Sequence, residues 1–326
     1  MSEVQLYQYH LVVKHWKGNK NANIEQFFNA SHFFANHPTL EFFLGIESKN
    51  NEDYQVLLLS EDSVKSLHTE LENFTSSKLS MIPKFQNVTY KKVKSTFIDS
   101  SQAFNKINKE IKKFNKQSKA DSKLRKMKEQ WEKAQNMVKT KKYFFVAVDV
   151  ESYERDHSCI LEVGWSMFDS KSEKFMDRHF CATEYKHLKN GQFVPDRKDR
   201  FNFGETVWES LTNIRDEIIK DLTGENEKGN VVFVGHDVQM DVKYLESMKV
   251  NVEEVINPAA YFDTAEMNAA RVGKPNQRIG LGKLLDELDI ENYCLHNAGN
   301  DAHYTLCLFL ELCKLPLQSP EESSSD

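Results

Sequence analysis

The chain has 326 residues, a net charge of −6 and 40% hydrophobic residues. That is more than one ordinary domain needs and enough apolar material for two cores. No apolar run approaches the length of a membrane span. Met1-Ser2-Glu3-Val4 lacks the basic-then-apolar order of a leader, so a cytoplasmic or nuclear location is expected. The five cysteines (Cys159, Cys181, Cys294, Cys307 and Cys313) form no C-x-x-C pair. This argues against a zinc ribbon or dithiol centre and for reduced thiols.

Residues 1–100 read as a small α+β domain without a chemical motif. Leu6–Val13 looks strand-like; Ile24, Phe27, Phe28 and Phe34 suggest a helix ending before Pro38. Leu40–Ile46 and Tyr54–Leu59 read as strands joined by a polar turn at Lys49–Asp53. Val64, Leu67, Leu71 and Phe74 keep helical spacing. The phenylalanines are most economically core, and the domain offers a place for a protein partner without identifying one.

Residues 101–141 read as a basic helical linker. Between Ser101 and Lys142 basic residues exceed acidic ones by about ten, leaving the rest of the chain near about −16. Phe104, Ile107, Ile111 and Phe114, then Leu124, Met127, Trp131, Ala134 and Val138, keep helical spacing, so one or two amphipathic helices are predicted, with a break near Ser118–Ser122. Lys112, Lys113, Lys116, Lys119, Lys123, Arg125, Lys126 and Lys128 fill the other faces. Three readings stay open: a solvated face, a surface tracking nucleic-acid phosphates, or a coiled-coil contact with a partner.

Residues 142–316 read as an α/β domain. Strands at Tyr143–Asp149, Ile160–Phe168 and Phe175–Ala182 follow closely, as antiparallel neighbours do. A helix near Glu205–Leu222, strand Val231–Val234, another helix, strand Ala260–Asp263 and helices to Lys314 come next. Three antiparallel strands and then β-α-β crossovers predict a mixed sheet flanked by helices. The insert Tyr185–Gly204 carries Lys186, Lys189, Arg197, Lys198 and Arg200, either as an exposed polar loop or as contacts to a substrate backbone. Gln318–Asp326 reads as a disordered acidic tail within the last segment, 317–326.

Asp149 and Glu151 close the apolar run Tyr143–Val148. Residues i and i+2 of a strand share a face, so the two carboxylates project together and repel unless a cation lies between them. Asp241 falls in the first turn of the helix after Val231–Gly235, and His296 and Asp301 precede and open the last helix. Each alone has an ordinary explanation: helix-start acids at Asp241 and Asp301, a surface or capping histidine at His296. Together they make four carboxylates and an imidazole at strand ends and helix starts, a hard-oxygen donor set suited to Mg²⁺ or Mn²⁺. Asp263 reads as the cap of a helix beginning near Ala265, helped by Thr264, and His236 and Asp237 as organisers of the strand-to-helix turn.

Asp149-x-Glu151, Gly235-His236 with Asp241, and His296-x-x-x-x-Asp301 together resemble the DEDDh 3′–5′ exonucleases, the RNase T and DnaQ-like proteins, and Asp263-Thr264 matches a further segment common there. The resemblance covers roughly residues 142–315. It implies a ribonuclease-H-like fold, two metal ions bridged by Asp149, Glu151 and Asp301 on the water-activating ion, Asp241 on the second, and His296 as general base. Asp149–Glu154 and Leu295–Ala302 look more like a fungal branch containing the Argonaute-associated exonuclease QIP and Gfd-type proteins. Ser152-Tyr153-Glu154 departs from the Thr-Thr-Gly of many relatives, which leaves substrate preference open. Tyr153 could stack on a base or pack in the core, and Met240 stands where an aromatic is frequent. The implied activity is 3′–5′ hydrolysis of single-stranded nucleic acid, with RNA favoured over DNA on the fungal resemblance. The alternative is a nuclease-fold scaffold binding RNA or a ribonucleoprotein partner without turnover.

Overall fold

A computed structural model describes residues 5–18, 21–83, 88–228 and 230–317. The chain divides into two compact units, Met1–Ser122 and Lys123–Asp326. The expected tail, Gln318–Asp326, lies outside the described residues.

The first unit runs β1 (Leu6–Gln8), α1 (Tyr9–Lys17), α2 (Ala22–Phe27), α3 (Ala30–Asn36), β2 (Glu41–Lys49), β3 (Glu52–Ser60), α4 (Glu61–Thr75) and β4 (Tyr90–Phe97), in a sheet of order β1-β3-β2-β4. The strand expected over Leu6–Val13 stops at Gln8, because Tyr9, Val12 and Trp16 recur at helical spacing and are all buried. The single helix expected before Pro38 is two, the second opened by Asn29, whose side chain accepts from Ser31 N. The β2–β3 hairpin turns where expected, with Asn50 and Asn51 both at positive φ. Strand β4 was not anticipated.

The basic segment is one helix, α5 (Ser101–Thr140), without the break expected near Ser118–Ser122. It contains neither glycine nor proline, so nothing in its sequence interrupts the backbone bonds. Phe104, Ile107 and Ile111 pack on the first unit's core, which holds Trp16, Phe33, Phe42 and Leu59. Met127, Trp131, Ala134 and Met137 are buried in the core of the second unit.

The second unit continues with β5 (Tyr143–Tyr153), β6 (Asp156–Asp169), β7 (Lys174–Ala182), β8 (Thr206–Glu209), α6 (Leu211–Lys228), β9 (Asn230–Gly235), α7 (Val238–Ser247), α8 (Val252–Val255), β10 (Tyr261–Asp263), α9 (Thr264–Arg271), α10 (Leu281–Glu287) and α11 (Ala298–Leu312). Its sheet has the order β10-β9-β5-β6-β7-β8. Strands β5, β6 and β7 are antiparallel, while β9 runs parallel to both β5 and β10. This is the mixed α/β sheet the sequence predicts, with one added edge strand. Residues 206–209 belong to β8, parallel to β7, and not to the expected helix, which starts at Leu211. Thr206, Val207 and Trp208 are strand formers.

Alternation along β5 separates the two cores. Phe145 and Ala147 face the core of α9, α10 and α11, while Val146, Val148 and Val150 face that of α6 and α7. Asp149 and Glu151 continue the first series, so they leave the sheet on the α11 side.

Candidate metal centre

Asp149 lies opposite Gly164 in the β5–β6 register. That glycine has a reason: a Cβ there would lie 2.2 Å from Ala298 C and Gly299 N. The start of α11 therefore seats directly on the sheet, bringing Asp301 to Asp149. Gly235 does the same for α7, since a Cβ there would meet Val238 and lie 2.9 Å from Asp241 Oδ2. Two strand glycines thus set how closely the two acid-bearing helices approach β5.

Carboxylate oxygens of Glu151 and Asp301 and a ring nitrogen of His296 lie within 4.8 Å of one another. His296 Nδ1 is 3.9 Å from Glu151 Oε1 and its side chain is half exposed. The histidine sits at φ 65° and Cys294 at φ 55°, left-handed conformations that cost a non-glycine residue on the order of 1–3 kcal/mol each. The turn is held because His296 N donates to Asp301 Oδ2 at 3.0 Å. Asp301 Oδ1 and Asp149 Oδ2 are buried and accept no hydrogen bond among the described residues.

These orphaned oxygens set the electrostatics. Burial first, then the negative field of Asp301, Glu151, Asp241 and Glu162, pushes Asp149 well above the usual carboxylate range. Burial, then Asp301 and Glu162, raises Glu151 to about 8. Burial raises Asp301 to about 7, against the His296 N–H and Arg197, which pull it down. Asp241 is raised by burial, then by Asp237 and Asp263. Buried acids held this close need a positive charge, and the oxygen-rich donor set fits a hard divalent cation. His296 is lowered by partial burial and then by Arg197, which keeps its ring neutral and able to accept a proton.

All five residues singled out from the sequence therefore gather at the ends of β5, α7 and α11. Tyr153, expected as a substrate contact, is half-buried at the end of β5, opposite Asp156. Asp263 caps α9, accepting from Ala265 N and Glu266 N, and Thr264 donates to Gly235 O. His236 bonds Thr264 Oγ1 and Ile279 O, and Asp237 sits at φ 76° and pairs with Arg278.

A layer behind the site was not read from the sequence. Glu162 pairs with Glu151 in register and is buried against His179, whose Nε2 lies 2.9 Å from Glu162 Oε2 and whose Nδ1 bonds Thr206. Asn297 caps α11 and donates to Arg197 O at 3.0 Å and Glu162 Oε2 at 3.4 Å. Glu162, His179 and Cys181 also cluster closely enough to hold a metal, but both nitrogens of His179 are engaged in hydrogen bonds, so the cluster braces the strands. The available signal was a lone acid inside the apolar run Ile160–Val163.

Beside the centre is a cavity of about 660 Å³ lined by His157, Arg215, Met240, Lys243, Tyr244 and Lys249, among others. Tyr244 OH lies 3.0 Å from Ser152 Oγ, next to Glu151.

Comparison with known proteins places this unit. The profile of the DEDDh family described as DNA polymerase III subunit epsilon-like, C-terminal domain, matches residues 144–312, just over half the chain. Curated relatives include the uncharacterized nucleolar protein C2C4.08 of Schizosaccharomyces pombe, 32% identical over 49% of this chain and 65% of that protein. Another is Good for full DBP5 activity protein 2 of Saccharomyces cerevisiae, 27% identical over 56% of this chain and 37% of that one. The chain thus spans less than two thirds of the length of these curated relatives. The X-ray structure of the RNase domain of the yeast Pop2 protein is a distant likeness, 14% identical with a TM-score of 0.36 over 58% of this chain and 82% of that one. Among the described residues no helix is long and apolar enough to cross a membrane.

Proposed function

Because the chain belongs to the DEDDh exonuclease superfamily, we propose that it is a metal-dependent 3′–5′ exonuclease acting on single-stranded nucleic acid, RNA in preference to DNA. The observation carrying this reading is the pair of buried, unpartnered oxygens, Asp149 Oδ2 and Asp301 Oδ1, beside Glu151 and His296. Asp149, Glu151, Asp241 and Asp301 would hold two Mg²⁺ or Mn²⁺ ions, which when bound neutralise the acids and the scissile phosphate and ease ionisation of the attacking water.

The chain's own residues supply the rest. His296 accepts the water's proton on Nε2, Nδ1 being the nitrogen beside Glu151. Partial burial and Arg197 keep the ring unprotonated near neutral pH. Asp301 holds the histidine loop through the His296 N–H, so the base and a metal ligand move as one piece. Arg215, Lys243 and Lys249 in the adjoining cavity offer cations to a backbone approaching past Met240. A relative named as nucleolar supports the nucleus as the place of action.

The test uses 3′-labelled and 5′-labelled single strands of RNA and DNA with Mg²⁺, Mn²⁺ or chelator, beside Asp149→Asn. Stepwise shortening from the 3′ end, lost in the variant and in chelator, supports the enzyme. Binding without shortening in either metal supports a scaffold.

A further inference from the structure

The first unit encloses space that its own core does not fill. A cavity of about 470 Å³ lies among α1, α3, β3 and the N-terminal part of α5, and every residue lining it belongs to Met1–Ser122. Packed interiors leave few voids larger than a water molecule, whereas pockets for small molecules run from about 300 to 1,000 Å³. Most of the wall is apolar: Phe28, Phe34 and Leu57 are buried, and Ile107 and Ile111 are half-buried beside them. Two polar groups in the lining stand without partners. Tyr9 is 7% exposed, its ring edge-on to Phe42 and Phe104. Among the described residues its hydroxyl makes no hydrogen bond, and burial alone raises it above the usual phenol range. Lys112, at the exposed margin, makes no ion pair among the described residues. The neighbouring strand edge does not suit an added peptide strand. Strand β1 pairs only with residues 58–60 of β3, but at Gln55 the edge is already taken. Gln55 N donates to Asn115 Oδ1 at 2.7 Å, and Asn115 Nδ2 donates to Gln55 O at 3.0 Å. What remains open is the side-chain space, which suits a compact molecule.

We propose that the first unit binds a small amphipathic acid in this cavity, its apolar body against Phe28, Phe34 and Ile107 and its carboxylate facing the Tyr9 hydroxyl and the Lys112 ammonium. A carboxylate offers two oxygens with about four acceptor sites, enough to serve both groups. The lysine's flexible four-carbon stem lets its ammonium follow the head, and a buried hydroxyl left unpaired costs stability that an acceptor returns. A unit without a chemical motif thereby acquires a role that does not depend on the metal centre.

The test is calorimetry of the full chain with decanoate and, as its uncharged counterpart, decan-1-ol. The parent should take up one decanoate per chain and bind it more tightly than the alcohol. Tyr9→Phe keeps the ring and its packing, and should weaken decanoate about three- to tenfold. Lys112→Gln should weaken decanoate about two- to fivefold and leave decan-1-ol unchanged. Ile107→Trp, which fills the cavity, should abolish uptake of both while the melting temperature shows the protein folded. Met81→Ala removes an exposed side chain outside the lining and should change nothing. Absence of uptake of either molecule by the parent overturns the site, as does uptake that Tyr9→Phe, Lys112→Gln and Ile107→Trp all leave unaltered. Equal affinity for the acid and the alcohol, indifferent to Lys112→Gln, overturns the assignment of an acid.

Discussion

Gly164→Ala is the sharpest probe of how the fold builds the centre. The added methyl would lie 2.2 Å from Ala298 C and Gly299 N and 2.3 Å from Ala298 O. Carbon contacts settle near about 3.5–4.0 Å, so the start of α11 must withdraw by more than about 1 Å. All the atoms met are backbone, so no side chain can swing aside. Overpacking of this kind costs roughly 1–3 kcal/mol, and at about 2–4 °C per kcal/mol for a unit of this size the melting temperature should fall by roughly 2–12 °C. The same withdrawal carries Asp301 and the His296 loop away from Asp149, and about 1 Å of misplacement costs on the order of 10²-fold in rate. Gly224→Ala is the control: a Cβ there meets nothing within 4 Å, and in helix α6 it should stabilise by roughly 0.5–1 kcal/mol. Thermal unfolding and single-turnover trimming on both variants decide the matter. A Gly164→Ala protein that melts and trims like the parent refutes the claim that α11 is positioned by contact with β6.

Cation removal should make stability fall with rising pH. Glu151 at about 8 and Asp301 at about 7 stand above their unfolded values. The folded state thus holds protons that the unfolded state has released, and stability present below about pH 4 is lost as pH rises through 7–8. The shift at Glu151 alone, from 4.5 to about 8, corresponds to on the order of 5 kcal/mol. Melting in EDTA should therefore drop between pH 5 and 8, with Mn²⁺ restoring far more at pH 8 than at pH 5; equal restoration at both contradicts the account. Asp149→Asn should melt higher than the parent in EDTA at pH 8 and yet trim nothing, whereas a lower melting temperature would show that the repulsion was misjudged. Trp131→Ala removes an indole that is 5% exposed and bonded to Leu312 O at 3.2 Å. It should cost about 3–5 kcal/mol by denaturant unfolding, and a loss under about 1 kcal/mol would detach this part of α5 from the second unit's core.

The acids were legible because their positions obey local rules. Asp149 and Glu151 follow the two-residue period of β5, and Asp241 and Asp301 sit in first turns of helices, where the sequence punctuates the change of period. Asp263 was legible as a cap for the same reason. What could not be read is what depends on neighbours distant in sequence. Glu162 owes its role to the strand opposite it, and Gly164 owes its role to a helix more than a hundred residues away. Arg197 lies in an insert whose path is fixed by Glu154 and Leu295. Strand β8 was hidden because Trp208 fits a helical stripe with Leu211 and Ile214 as well as it fits a strand, and only its pairing with β7 decides. The opening strand of the first unit was overextended because an apolar run of eight residues suits both periods.

One titration reaches the central claim. Calorimetry of Mn²⁺ against the full chain and against Asp149→Asn, with trimming of 3′-labelled RNA followed on the same samples, joins cation uptake to hydrolysis. The account predicts uptake of about two ions and stepwise trimming in the parent, both lost in the variant. A parent chain that takes up no cation, or that trims equally well in chelator, contradicts it.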